Sequence, residues 1–253
     1  MLTKLRISLF VLLFAGLAAC ATSTSAPAPT AAIEKGIDEP FFIQPERMTE
    51  KATIVKSGKR IDVLFVGDSI TQNYDMPDYR PVWNRSFAPL HALNLGYGMD
   101  TTGAAHWRIV QGELNGINPR VTVLLLGTND TNLGRSPDQV VAGIARVIKD
   151  LKVNLPKTKI LLVGILPSDR SSDKTSADKE VNAKNAAFYA DDPRVTFIDT
   201  SSVFMKDGVL NADLYVEKKP EGALHPNPKG QGLMAAAIEP AIASLLNEKP
   251  DVR

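Results

Sequence analysis

Apolar residues in this chain gather into short unbroken runs, and the stretches between them carry a helical period. Val63 to Val66 is wholly apolar and stops abruptly in Gly67-Asp68-Ser69. A run of this length bounded by a turn signal predicts a strand buried on both faces, as in a parallel sheet. The same form recurs in Leu93-Asn94-Leu95-Gly96, in Val121 to Leu126, in Ile160 to Leu166 and in Val195 to Ile198. The third run ends in another polar burst, Gly127-Thr128-Asn129-Asp130. Between the strands, Thr101 or Thr102 caps a helix through Trp107 to Leu114. Ser136-Pro137 opens the clearest helix, with Val140, Ile144, Val147, Ile148 and Leu151 at helical spacing and Pro156 as its stop. Further helices are predicted over 177–189 and from about 229 to 247, the last with a kink or break at Pro240. This alternation predicts one α/β domain of three layers, α/β/α, around a mostly parallel five-stranded sheet.

The first forty residues follow a different pattern. Lys4 and Arg6 precede an apolar segment, Ile7 to Ala19, that ends in Leu17-Ala18-Ala19-Cys20. A basic start, a short apolar stretch and small residues predict a secretory signal over 1–19. The ending resembles a bacterial lipobox, which implies cleavage before Cys20 and lipidation of that residue. Cys20 is the one cysteine of the chain, so stability is expected from a packed core and not from disulfides. Residues 20–40 read as the lipidated residue and a flexible tether, because Ala, Thr, Ser and Pro in their first part cannot build a core. The domain is expected over 41–250, with Phe41-Phe42-Ile43 packing onto it. Of the 29 Lys and Arg, two lie in the signal, so 27 face 28 acidic residues. A near-neutral body gives no electrostatic case for nucleic acid.

No glycine loop matches a phosphate cradle: Gly96-Tyr97-Gly98 lacks the third glycine, and no Gly-Lys-Ser/Thr occurs. His91, His106 and His225 are scattered without ligand spacing, so no metal and no cofactor is expected. Taken singly, His91 and His106 read as structural or surface residues, and Asp68 and Asp130 as loop braces. The chemistry lies instead at the strand ends, where open α/β sheets place their sites. Ser69 follows the first strand, Gly96 the second and Asn129 the third, while His225 stands in Leu224-His225-Pro226-Asn227 before the last helix. A hydrolase needs a nucleophile, a base within reach and donors aimed at a developing oxyanion. Ser69 and His225 suit the first two roles. The N–H groups of Ser69 and Gly96 with the Asn129 amide suit the third.

At these four positions the chain resembles the SGNH/GDSL hydrolase superfamily, named for its serine, glycine, asparagine and histidine. Within it the likeness is to the catalytic subunits of intracellular-type platelet-activating-factor acetylhydrolase. Asn94-Leu95-Gly96, Asp100-Thr101-Thr102, Trp107-Arg108, Gly112-Glu113-Leu114 and Gly164-Ile165-Leu166-Pro167 carry it, over roughly residues 45 to 245. The resemblance implies a flavodoxin-like fold and a serine esterase acting on short acyl groups, acetyl above all, of a carbohydrate or phospholipid-like alcohol. A lysophospholipase or thioesterase, or a non-catalytic envelope protein that binds glycan or lipid, are the alternatives. One position departs from the pattern. The aspartate that lies three residues before the histidine in the family is Gly222 here, and Glu221 stands one residue further back. Either Glu221 orients His225, or a backbone carbonyl does and the site is a Ser-His dyad. The lipobox and the non-acidic Ala21 imply a lipid-anchored protein of the bacterial envelope, on the outer membrane and facing the periplasm.

Overall fold

The computed structural model describes residues 43–247. The signal segment, Cys20, the tether, Phe41 and Phe42, and the last residues from 248 lie outside them. The chain opens with α1 (Pro45–Lys56) and then lays down β1 (Val63–Gly67), α2 (Ser69–Gln72), α3 (Arg80–Ser86), β2 (Ala92–Gly96) and α4 (Thr102–Val110). There follow β3 (Val121–Leu125), α5 (Thr128–Asn132), α6 (Pro137–Asn154), β4 (Lys159–Val163), α7 (Ser172–Phe188) and β5 (Val195–Ile198). A small hairpin, β6 (Met205–Lys206) and β7 (Val209–Leu210), precedes α8 (Pro228–Asn247).

The five strands β1 to β5 form one sheet in the order β2-β1-β3-β4-β5, every pair parallel. Alternate strand residues feed two cores. Leu64, Val66, Leu124 and Leu162 pack with Ile109, Ile144, Val147 and Val181 of α4, α6 and α7 on one face. Val63, Phe65, Val123 and Leu161 pack with Trp83, Met234, Ile238 and Ile242 of α3 and α8 on the other. This double burial is why the strands read as continuous apolar runs rather than alternating ones. The three-layer reading is what the chain adopts.

The second core carries an aromatic cluster beneath the Ser69 turn. Phe65 of β1 meets Phe87 at 4.6 Å and Trp83 at 5.1 Å between ring centroids, and Tyr74 stands 5.7 Å from Trp83. Tyr74 Oη also donates to Gln231 O of α8 at 3.3 Å, tying the nucleophile side of the sheet to the last helix.

Several element boundaries differ from expectation for physical reasons. Helix α7 begins five residues earlier than predicted, capped by the Ser171 hydroxyl on Lys174 N. Its first turn is held by polar contacts, which leave no apolar period. Helix α8 runs unbroken through Pro240. Pro240 and Ala236, whose carbonyl loses its donor there, both lie on the exposed side, so water can satisfy that carbonyl. Helix α4 ends at Val110, before the turn that carries Gly112 at φ +89°. Ile43 is 52% exposed and does not pack onto the domain as expected.

Candidate active site

The parallel register sets the level of every catalytic turn. Gly67 pairs with Gly96 on one side and with Leu125 on the other, so the loops after β1, β2 and β3 start side by side. Asp68 caps α2 by accepting Ile70 N on Oδ1 at 2.9 Å, which places Ser69 in the first turn of that helix. As the first helical residue, Ser69 has an N–H with no acceptor inside the helix.

The geometry joins Ser69 to His225: Ser69 Oγ stands 2.9 Å from His225 Nε2. The other ring nitrogen, Nδ1, bonds Glu217 Oε1. Glu217 Oε2 in turn accepts His225 N at 2.8 Å and Leu224 N at 3.2 Å, and Arg170 Nη2 stands 3.4 Å from Oε1. Partial burial works against the Glu217 charge, but the hydrogen bonds from the His225 ring and backbone outweigh it and hold the carboxyl below its ordinary value. An ionised Glu217 keeps the proton of neutral His225 on Nδ1. That leaves Nε2 as the acceptor for the Ser69 hydroxyl.

Glu217 corrects the expectation for Glu221 and for a dyad. Residues 214–217 run antiparallel to 224–227, with Tyr215 bridged to Pro226 and Val216 N donating to His225 O at 2.9 Å. The turn between them carries Glu221 out to solvent. Gly222, at the position of the family's aspartate, has φ +78° and packs so closely that an added Cβ would lie 2.7 Å from Asp169 O. No side chain fits there, and the acid comes from eight residues before the histidine. The clue available in the sequence is the hairpin signal of Pro220 and Gly222, which brings the residues on either side of it together.

The loop after β2 carries Gly96. Gly96 N–H donates to Asn94 Oδ1 at 2.9 Å in this structure. Gly96 also supplies room: a Cβ there would stand 2.5 Å from Gln72 N of α2. In the same loop Tyr97 N donates to Gly67 O, Gly98 N to Gln72 Oε1 and Asp100 N to Tyr97 O. Met99, held at φ +66°, keeps the one backbone N–H of residues 96–100 without an acceptor among the described residues. Asn129, buried in α5, donates one N–H of its amide to Asp100 O at 2.8 Å, which leaves the second for another acceptor.

Ionic groups brace these turns from behind. Asp130 accepts Thr102 N and Oγ1 and pairs with Arg135 at 2.6 Å. Arg108 binds Asp100 and lies 4.0 Å over the Tyr97 ring. Asp68 is fully buried, and burial, with Asp100 and Asp130 nearby, pushes its carboxyl up to about 7 against the Ile70 N–H bond and the Lys174 charge. Its Oδ2 has no partner among the described residues. The remaining histidines stand apart from Ser69. His91 is exposed, and His106 is held between Asp150 and Arg146.

Two expectations follow. Glu217→Gln is expected to lower kcat by about 10⁴ through loss of the correct tautomer, while Glu221→Gln leaves steady-state ester turnover unchanged; the reverse order would remove Glu217 from the site. For Asp68, an acid whose folded value stands above its unfolded 3.8 destabilises the fold as pH rises from about 4 to about 7, and no further above that. Urea unfolding of Asp68→Asn is therefore expected to show a stability gain over wild type that grows by roughly 3–4 kcal/mol across that window. An equal difference at pH 4.5 and pH 8 would contradict it.

Residues 65–233 match the model of the GDSL-like Lipase/Acylhydrolase family. The chain is 30% identical over 232 residues to platelet-activating factor acetylhydrolase IB subunit alpha2 of Gallus gallus, covering 90% of this chain and 95% of that protein. The Homo sapiens subunit alpha2 is 34% identical over 199 residues, covering 76% of this chain and 81% of its own length. Among solved structures, a putative acylhydrolase from Bacteroides fragilis superposes with a TM-score of 0.63 at 20% identity, covering 81% of this chain and all of its own. The chain belongs to the GDSL-like lipase/acylhydrolase family and is a carboxylic ester hydrolase.

Proposed function

We propose that this enzyme is a serine esterase that removes short acyl groups, acetyl above all, from a carbohydrate or phospholipid-like alcohol. The observation that carries the mechanism is the unbroken line from Glu217 through His225 to Ser69 Oγ, 2.9 Å from Nε2. His225 Nε2 takes the hydroxyl proton as Ser69 Oγ attacks the ester carbonyl. Negative charge gathers on the carbonyl oxygen. The Ser69 N–H and the free N–H of Asn129 receive it, joined by the Gly96 N–H when it leaves Asn94 Oδ1. The tetrahedral intermediate collapses as His225 protonates the leaving alcohol. Water, deprotonated by His225, then cleaves the acyl-serine.

The acetyl preference is supported by the acetylhydrolase name of the relatives. Short loops after the strands support it too, since among the described residues no long apolar insertion is present to wall an acyl tunnel. A lysophospholipase or thioesterase is the second reading, favoured by Met99 and Leu133, exposed apolar residues on the loops after β2 and β3. A non-catalytic binding role rested on the displaced acid, and the Glu217–His225 bond removes that support. The leader sequence supports anchoring through a lipid on Cys20 in a bacterial envelope, on the outer membrane and facing the periplasm, where two or more acyl chains make attachment stable.

A fluorophosphonate probe is expected to label the wild type once per chain, and Ser69→Ala to lose both label and turnover. Across acetyl, butyryl, octanoyl and palmitoyl esters of one chromogenic alcohol, kcat/KM is expected to fall with chain length. A steady climb to palmitoyl would install the lysophospholipase reading in its place. For the anchor, mass spectrometry of the mature protein is expected to find Cys20 at the N-terminus carrying acyl chains; an unmodified terminus elsewhere would refute it.

A further inference from the structure

Lys174 is buried in the first turn of α7, a place that electrostatics disfavours for an ammonium. It lies away from water and beside the positive end of a helix. Burial depresses its proton affinity, partly offset by Asp178. Its Nζ nevertheless makes three bonds: 2.7 Å to Asp178 Oδ2 on the same helix, and 3.0 Å each to Thr128 Oγ1 and Thr131 Oγ1 of α5. Asp178 Oδ1 also accepts Thr131 Oγ1 at 2.6 Å. The two threonines flank Asn129. The ammonium is also within electrostatic range of Asp68, the residue before the nucleophile.

The arrangement is costly if its only purpose is cohesion. Replacing a buried ion pair by packed apolar side chains is often neutral or stabilising. What an apolar pair cannot do is fix the rotation of a five-residue helix. Helix α5 is too short to hold its own direction, and Asn129 sits in its first turn. Asp100 O fixes one N–H of the Asn129 amide, and the Lys174 bonds fix the helix that carries it.

We infer that Lys174, with Asp178, is a positioning residue that aims the Asn129 amide at the oxyanion. The inference rests on the oxyanion role proposed for Asn129. A residue with this task acts on the transition state and not on substrate affinity, so it affects kcat and leaves KM.

A double-mutant cycle on the full chain, with 4-nitrophenyl acetate as substrate, tests it. Asn129→Ala is expected to lower kcat by about 10²–10³. Lys174→Met is expected to lower kcat by about 10- to 100-fold, the scale of a small misplacement, with KM within about twofold. Because Lys174 acts through Asn129, adding Lys174→Met to the Asn129→Ala enzyme is expected to cost no more than about twofold further. Effects that multiply would overturn the inference, as would a Lys174→Met enzyme with wild-type kcat beside a crippled Asn129→Ala. If Asn129→Ala is itself silent, the oxyanion reading of Asn129 fails and takes this inference with it. Should Lys174→Met fail to fold, Lys174→Met with Asp178→Leu leaves no lone buried charge. That pair is expected to keep the wild-type Tm and a low kcat. A kcat that returns with the Tm would reduce Lys174 to a structural role.

Discussion

The in-register pairing of β1 with both β2 and β3 is the constraint on which the site depends. It sets Gly67, Gly96 and Leu125 in one row, so that three loops leave the sheet at the same height. Parallel strands bring all their carboxyl ends to one edge, and the outcome is a cluster of turns rather than a set of dispersed loops. The crowding at that edge explains the small residues there. A Cβ on Gly67 would stand 2.1 Å from Thr71 Oγ1, and one on Gly96 would meet the backbone of α2. The nucleophile turn lies directly on its neighbouring strand, with the Thr71 side chain against both glycines.

A second layer of buried polar groups keeps those turns in place. Arg108 with Asp100, Arg135 with Asp130 and Lys174 with Asp178 each hold a loop that begins at a strand end. Buried ion pairs are poor contributors to stability when compared with apolar packing. Their concentration behind one edge of the sheet therefore fits a demand for fixed geometry, since a small shift in a catalytic group costs rate steeply.

The strands and the three residues Ser69, Asn129 and His225 were legible because their signals are local: an apolar run, a turn, a polar burst. Helices α2, α3 and α5 escaped because four to seven residues are too few to display a period. Helix α1 escaped because it is a surface helix with Lys51 and Val55 as its buried residues. The bond from Gly96 N–H to Asn94 was not legible, since the direction of an N–H depends on a neighbour that folds back to accept it. Glu217 was out of reach for a related reason. Its approach to His225 is set by strand-like pairing across a turn, and nothing at position 217 itself marks an acid that faces a ring eight residues away.

That pairing has a consequence for how the site holds together. The acid and the base are partners within one hairpin-like segment, 214–227, whose own backbone bonds fix one against the other. The nucleophile belongs to a distant part of the chain, and the segment meets it through contacts such as Tyr79 Oη on Pro226 O at 3.2 Å. The Glu217–His225 couple is thus a cassette docked onto the sheet and braced by Arg170, and the 2.9 Å gap to Ser69 is its seam. Motion of the cassette as a body would silence the serine while leaving the acid and base bonded to each other. The exposed stretch between them, 218–221, can vary in length so long as the two stems stay zipped and Gly222 keeps its place against Asp169.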